Sequence, residues 1–140
     1  MLDFKIDPDL CKKFDINIVY LFGSQVKGEA TGESDFDIAV LFKKRPADPL
    51  ALKETALLSL ELNKFFPAEL DIVSLNDAPI LLKYEVIAHG QLLYCEDETE
   101  RIDFEVSVIK EYIDEEPIRN LYNQALYKRI LQGTKNPETW

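Results

Sequence analysis

The chain has 140 residues with 46% hydrophobic and 30% charged content, which is ordinary for one soluble globular domain with a buried core. Its net charge of −10 disfavours direct binding of nucleic acid, because a protein that holds phosphate backbones needs a basic surface, and it favours a basic protein partner. No apolar run is long enough to span a membrane, no signal-peptide pattern is present, and two distant cysteines suggest no disulfide framework, so we expect a cytoplasmic protein.

Four elements are predicted in the first half of the chain. Aspartate followed by proline is a favoured helix start, and this pair begins each of two expected helices. Two runs rich in β-branched and aromatic residues predict buried strands. In chain order we expect a helix over Pro8–Phe14, strands over Ile16–Phe22 and Asp35–Phe42, and a helix from Asp48 that ends before Pro67.

The next part of the chain predicts a strand, a helix and a further strand. The first strand is expected over Ala68–Leu75 and the second over Gln91–Cys95. Asn76 or Asp77 is expected to cap the helix between them, and Gly90 to end it.

The last part of the chain is predicted to be helical. Apolar residues recur at spacings of three and four from Glu98 onward, and Pro117 interrupts the pattern, so two helices are expected to meet there. With this helical extension from about residue 98, residues 1–132 are predicted to form one α/β domain, a small mixed sheet with flanking helices. Residues 133–140 are expected to form a flexible tail.

The helical extension contains an apolar stripe with two possible roles. The stripe could be ordinary core, or it could bind a partner protein. Tyrosines, which favour interfaces, are also frequent in the extension. The stripe consists of Ile102, Val106, Ile109 and Ile113, and the tyrosines are Tyr112, Tyr122 and Tyr127.

Two aspartates at the start of the second strand are the first candidates for chemistry. Side chains alternate along a strand, so Asp35 and Asp37 are expected to project from one face while Phe36 and Ile38 point into the packed side. Two ionised carboxylates at this spacing repel unless a divalent cation neutralises them, and Mg²⁺ prefers carboxylate and phosphate oxygens. An isolated pair of this kind is more often a solvated strand end, so the metal interpretation needs further residues.

Two further features favour a metal site. Gly23 and Ser24 directly follow a buried strand, where a glycine lets the backbone approach a ligand, amides favour phosphate and the serine adds a hydroxyl donor. Asp71 interrupts an apolar strand, where an acid is costly to bury unless it is paired or metal-bound. If this strand neighbours that of Asp35 and Asp37, three carboxylates converge beside a phosphate cradle.

The combined pattern resembles the DNA-polymerase-β-like nucleotidyltransferase superfamily. Gly23 and Ser24, ten intervening residues and then Asp35-x-Asp37 match its Gly-Ser-x10-Asp-x-Asp motif, and Asp71 falls where that superfamily has its third carboxylate. The sequence around the motif looks like the minimal nucleotidyltransferase (MNT) branch. About the whole chain is similar to the MntA-type antitoxins of HEPN/MNT toxin–antitoxin modules.

The resemblance implies an activity, a partner and a role for each site residue. Members of that family transfer AMP from ATP to a tyrosine hydroxyl of a HEPN ribonuclease toxin and silence it, which implies a hetero-oligomer with a cognate toxin. Asp35 and Asp37 would hold two Mg²⁺ ions bridged by the triphosphate, and Asp71 would share one ion and help to remove the hydroxyl proton. Gly23 and Ser24 would position the outer phosphates.

The chain departs from many relatives beside the glycine–serine pair. It has Gln25 and Lys27 where they carry arginine. Lys27 can still contact a phosphate as a point charge, although it lacks the guanidinium fork. We therefore assign Lys27 to the nucleotide together with Gly23 and Ser24.

Two alternatives remain beside the tyrosine-modifying enzyme. The chain could neutralise its toxin by steric occlusion alone, but an unused cluster of acids would cost stability. It could instead modify a small hydroxylated molecule, but it has no second domain large enough to build a dedicated pocket. Neutralisation by an Asp35→Ala variant would separate steric occlusion from catalysis.

Overall fold

The computed structural model describes residues 6–23, 36–43, 48–65 and 70–132. The elements follow the predicted order. In the first half they are α1 (Pro8–Lys13), β1 (Ile16–Phe22), β2 (Phe36–Phe42) and α2 (Asp48–Leu62), with a 3-10 turn over Asn63–Phe65. In the second half they are β3 (Leu70–Ser74), α3 (Ile80–His89), β4 (Gln91–Cys95), α4 (Glu98–Asp114) and α5 (Glu116–Leu131).

The four strands form one mixed sheet in the order β3-β2-β1-β4. The β2–β3 pair is parallel, whereas β1 pairs antiparallel with both β2 and β4. The two central strands, β1 and β2, are almost entirely buried, and each has a nearly continuous apolar sequence because helices cover both faces of the sheet. The predicted small mixed sheet is therefore confirmed.

Each face of the sheet packs against a different pair of helices. On one face Ile16, Leu21 and Ile38 pack with Cys11 of α1 and Leu58 of α2. On the other face Ile18, Tyr20 and Ala39 pack with Val86 of α3 and Phe104 of α4. Successive residues of a strand point to opposite faces, so β1 and β2 contribute to both cores.

A buried asparagine attaches α4 to the first strand. Asn17 is 2% exposed, its Nδ2 donates to Glu100 Oε2 over 2.9 Å, and its Oδ1 accepts from the Asp97 amide over 3.2 Å. Asp97 also caps α4 by accepting from the amides of Thr99 and Glu100. A buried amide with donor and acceptor both satisfied fixes where the helix begins.

The expected cap of α3 is wrong. The helix begins at Ile80 with Pro79 as its N-cap, and no side chain caps it. Asn76 instead bonds the backbone of Phe42 at the end of β2, where its Oδ1 accepts from the amide over 2.9 Å and its Nδ2 donates to the carbonyl over 3.1 Å. Its side chain is thus used between two strand ends, 34 residues apart in sequence, and not at the helix start.

The end of α3 is as predicted, since the helix stops at His89 and Gly90 follows. The reason for glycine is close approach and not a left-handed backbone, because φ is −76° there. A Cβ at Gly90 would lie 2.4 Å from the Val86 carbonyl oxygen. A side chain at this position would therefore displace the start of β4.

The C-terminal helices meet where Pro117 predicts. Proline lies in the first turn of α5, where a missing amide is tolerated. Tyr84 of α3 stacks on Tyr112 of α4 with ring centroids 3.7 Å apart, and Arg119 of α5 lies 3.7 Å from the same ring. Arg119 must take the opposite face, since Tyr84 occupies the first. This sandwich connects the three helices.

The extent of the domain stays a prediction at its C-terminal end, because residues 133–140, the expected tail, lie outside the described residues. In the part of the chain that is described, no helix is long and apolar enough to cross a membrane.

Candidate active site at one edge of the sheet

Three strand ends meet at one edge of the sheet. Phe22, the last residue of β1, pairs with Asp37 near the start of β2. Asp37 in turn pairs with Asp71 near the start of β3. Parallel strands bring their starts together, and the antiparallel β1 brings its end to the same edge. The strand adjacency on which the predicted acid cluster depended is therefore present.

Asp37 and Asp71 project from the same face of the sheet. Their neighbours Phe36 and Ile38 point to the α1–α2 side and are 4% and 0% exposed. Ala39, two residues beyond Asp37, lies in the core on the other side. The strands are about 4.8 Å apart, so the two carboxylates are close neighbours at the point where that core ends.

The two acids differ in their exposure to solvent. Asp37 is half-buried, whereas Asp71 is exposed. The sequence argument that Asp71 would be costly to bury therefore does not apply. Its place beside Asp37 follows from the strand register and from the alternation of side chains along β3.

Gly23 packs directly against the Asp37 carboxylate. Its φ is +86°, a conformation that residues with a side chain rarely adopt, and a Cβ there would lie 2.2 Å from Asp37 Oδ2. Glycine is thus required both by the backbone and by the adjacent acid. The sequence indicated that Gly23 lets the backbone approach a ligand. The contact between Gly23 and Asp37 could not be predicted from the sequence, because this contact depends on the β1–β2 register.

Three of the predicted site residues lie outside the described residues, namely Ser24, Lys27 and Asp35. Among the residues that the structure does describe, no group of three or more metal-ligating side chains occurs. The structure brings together Gly23, Asp37 and Asp71. The third acid, Asp35, stays a prediction, although it directly precedes β2.

Comparison with known proteins concerns the sheet and its family. A family model described as "Polymerase beta, Nucleotidyltransferase" matches residues 5–99, which include the whole sheet and all predicted site residues. No curated protein sequence is similar enough to this chain to count as a match.

Several solved structures share the fold. A chain of a toxin–antitoxin crystal structure with AMP-PNP is 24% identical with a TM-score of 0.68, covering 85% of this chain and 94% of that chain. A structure of a tri-AMPylated Shewanella oneidensis HEPN toxin in complex with MNT antitoxin matches at 22% identity and a TM-score of 0.63, with 85% and 91% covered. The toxin–antitoxin MntA-HepT matches at 22% identity and a TM-score of 0.62, with 85% and 92% covered. The family model spans more than half of the chain, and the chain therefore belongs to the polymerase beta nucleotidyltransferase family.

Proposed function

We propose that this nucleotidyltransferase is an antitoxin that transfers AMP from ATP to a tyrosine hydroxyl of a cognate HEPN ribonuclease toxin and so inactivates it. The observation that carries the proposal is the pairing of Asp37 with Asp71 at a sheet edge, with Gly23 against the Asp37 carboxylate. The similar structures support the nucleotide and the acceptor, since one contains AMP-PNP and another a tri-AMPylated HEPN toxin with its MNT antitoxin.

The residues at this edge fit a hard divalent cation such as Mg²⁺. Carboxylate oxygens on adjacent strands are its preferred ligands, and two neighbouring carboxylates repel each other when both are ionised. Because residue 23 is glycine, it places no Cβ against Asp37 Oδ2, where one would lie 2.2 Å away. Asp37 and Asp71 would hold Mg²⁺ together with Asp35, and the ions would stabilise the attacking and leaving oxygens of the transfer.

The transfer is an in-line displacement at the α-phosphorus. The tyrosine oxygen forms a bond to this phosphorus as the bond to the bridging oxygen breaks, and pyrophosphate leaves with the electron pair. Asp71, the exposed acid, is the group that accepts the phenolic proton. The backbone at Gly23 leaves room for the outer phosphates, with Ser24 and Lys27 as further contacts.

The charge of the chain suits the proposed partner. A ribonuclease must hold a polyanion and therefore presents a basic surface. This chain carries −10, so the two proteins attract each other at long range, and the rate of complex formation should fall with added salt. A hetero-oligomer of antitoxin and toxin follows from this proposal.

Intact-mass spectrometry of the HEPN toxin tests the transfer. After incubation with this protein, Mg²⁺ and each nucleotide in turn, we expect a mass gain of one or more AMP units with ATP only. Asp37→Asn and Asp71→Asn should abolish the gain without unfolding the protein. Asp9→Asn, at an exposed acid of α1, makes the same chemical change away from the sheet edge and should leave the gain intact.

Other outcomes would contradict the proposal in distinct ways. If the toxin gains no mass but forms a tight complex and loses ribonuclease activity, the chain is a steric antitoxin. If Asp37→Asn still transfers AMP, the assignment of the site is wrong. If the toxin neither binds nor gains mass, the acceptor is another molecule, and a small hydroxylated compound becomes the candidate.

A further inference from the structure

Exposed apolar side chains are concentrated on the two C-terminal helices. Among the described residues, fourteen large apolar side chains are exposed, and ten of these lie on α4 and α5. The predicted stripe on α4 is 42–55% exposed, so it is not core in this chain. We define the α4 stripe by Ile102, Val106, Ile109 and Ile113.

The α4 stripe is separate from the face of α4 that packs on the sheet. The packed face carries Phe104, Val108 and Tyr112, of which Val108 is 2% exposed. At 3.6 residues per turn, the stripe lies about 130° around the helix from that face. One side of α4 is therefore used by the fold, and a second apolar side is left uncovered.

The last helix is more exposed still. All 16 residues of α5 are described, and none is buried. An isolated helix of this length is only marginally stable in water, and most helices gain their stability by packing an apolar face. We define the α5 stripe by the six side chains that are 62–70% exposed: Ile118, Leu121, Tyr122, Tyr127, Ile130 and Leu131.

A groove between α3 and α4 adjoins the α4 stripe. It encloses about 250 Å³ and is lined by Tyr84, Ile87, Ala88, Glu105 and Ile109. Ile109 belongs to both the groove and the stripe. A mostly apolar pocket beside an exposed apolar stripe offers a place for an anchor side chain of a protein partner, because the residues that dominate binding are buried in such pockets.

Charge distinguishes between the possible occupants of these faces. On α4 the acids outnumber the basic residues six to two, and Asp103, Glu111 and Asp114 are exposed. The charge of α5 is opposite, since it has one acid and three basic residues. A second copy of this chain would bring a further charge of −10 against the acids of α4. A basic partner is complementary to α4 and to the chain as a whole, and the proposed HEPN ribonuclease must be basic wherever it holds RNA.

We infer that the α4 stripe, the α5 stripe and the groove at Ile109 together form the docking surface for the HEPN toxin. This inference rests on the proposed function and extends it. The docking residues lie on α3, α4 and α5, whereas the acids lie on β2 and β3. Binding of the toxin and transfer of AMP are therefore separable by substitution.

Isothermal titration calorimetry with the purified toxin and full-length variants tests the docking surface. Ile109→Glu and Leu121→Glu place a charge in the groove and in the α5 stripe. Leu60→Glu on α2 is the matched control, since Leu60 and Leu121 are both 67% exposed. Glutamate increases the charge attraction to a basic partner, so weaker binding reports loss of apolar contact.

We expect each docking variant to weaken toxin binding by at least about tenfold, with Leu60→Glu equal to the wild type. The KM for toxin in AMP transfer should rise by a similar factor while kcat at saturating toxin stays unchanged. Asp37→Asn should bind normally and transfer nothing.

The inference and the proposed function fail in different ways. If both docking variants bind the toxin as tightly as the wild type, the docking surface lies elsewhere, whether or not AMP is transferred. A wild-type dimer in the absence of toxin that these variants dissociate would assign the faces to self-association. Absence of AMP transfer by the wild type would overturn the proposed function, while the binding measurements would still decide the docking surface.

Discussion

The central strands and the C-terminal helices are both rich in apolar residues, yet the fold uses them in opposite ways. Every side chain of β1 from Ile16 to Leu21 is buried, and in β2 the apolar side chains from Phe36 to Phe42 are almost all buried. The ten large apolar side chains of α4 and α5 named above are exposed. The strands use their apolar surface to form the domain, and the helices leave theirs available to another protein.

The same comparison separates the proposed site of AMP transfer from the proposed docking surface. Asp37 is the one acid within β2, and it lies where the buried region ends. A rigid, two-sided core is a suitable support for carboxylates that must stay in position. The helical pair instead resembles one half of an interface.

Truncation of one isoleucine in each region gives the largest expected contrast. Ile38 is 0% exposed in β2, and Ile113 is 55% exposed in α4. Ile38→Ala should lower the free energy of unfolding by about 2–5 kcal/mol, because it leaves a cavity. Ile113→Ala should change it by no more than about 0.5 kcal/mol. Urea denaturation followed by circular dichroism measures both, and similar losses in the two variants would show that α4 is packed as tightly as the sheet.

Substitution of Gly23 tests whether the residue that follows β1 holds the Asp37 carboxylate in position. Gly23→Ala would place a Cβ 2.2 Å from Asp37 Oδ2 at a φ of +86°. The backbone strain should cost about 1–3 kcal/mol of stability, and displacement of the carboxylate should lower kcat for AMP transfer by about 100-fold. Gly90→Ala is the control, since it clashes with the Val86 carbonyl and not with an acid. Equal losses of kcat in both variants would mean that Gly23 acts only through stability.

The sequence predicted the elements well because they depend on local patterns. The runs that became β1 and β2, and the Asp-Pro pair before α1, act within a few residues. The α4 stripe shows the limit of such patterns. Apolar residues recur at spacings of three and four both on a helix face in the core and on a helix face in an interface, so the spacing does not distinguish the two. The structure shows that α4 packs on the sheet with its other side, which leaves the α4 stripe exposed to solvent.

Long-range contacts account for the other differences. Asn76 has the right type and place for a helix cap, but its hydrogen bonds go to Phe42 at the end of β2. Asp71 was chosen because it interrupts an apolar strand, and it is exposed because β3 is an edge strand whose outer face the helices do not fully cover. Its position beside Asp37 depends on β2 and β3 being neighbours in the sheet. From the sequence alone, this adjacency was a condition for the acid cluster and not itself a prediction.

Loss of the Asn76 side chain should weaken the end of the sheet opposite the acids. Asn76→Ala removes both bonds to the Phe42 backbone, which is half-shielded from water, and should cost about 1–3 kcal/mol. Asn76→Asp keeps an acceptor for the amide but has no donor for the carbonyl, so an intermediate loss is expected. Hydrogen exchange of the Phe42 amide measures the effect locally, and unchanged exchange in Asn76→Ala would show that other groups hold this strand end.

The smallest effect is expected at Tyr20, in the core between the sheet and helices α3 and α4. Its side chain is 3% exposed, and its hydroxyl finds no hydrogen-bond partner among the described residues. Removing an unpaired buried hydroxyl relieves a desolvation cost, so Tyr20→Phe should keep the stability or raise it by up to about 1 kcal/mol at pH 7. Chemical denaturation measures this change, and Tyr127→Phe at an exposed tyrosine of α5 is the control.

The pH dependence of Tyr20→Phe supplies an independent test. Burial, reinforced by nearby Glu105, raises the pKa of the Tyr20 hydroxyl above its ordinary value of 10. The folded state therefore keeps Tyr20 neutral while the unfolded state ionises, and stability is lost as the pH rises above about 10. Tyr20→Phe should lose less stability than the wild type between pH 9 and pH 11, and Tyr127→Phe should follow the wild type. Parallel curves for all three proteins would mean that the Tyr20 hydroxyl is solvated, and that the core around the central strands is less tightly closed than the exposure of its side chains indicates.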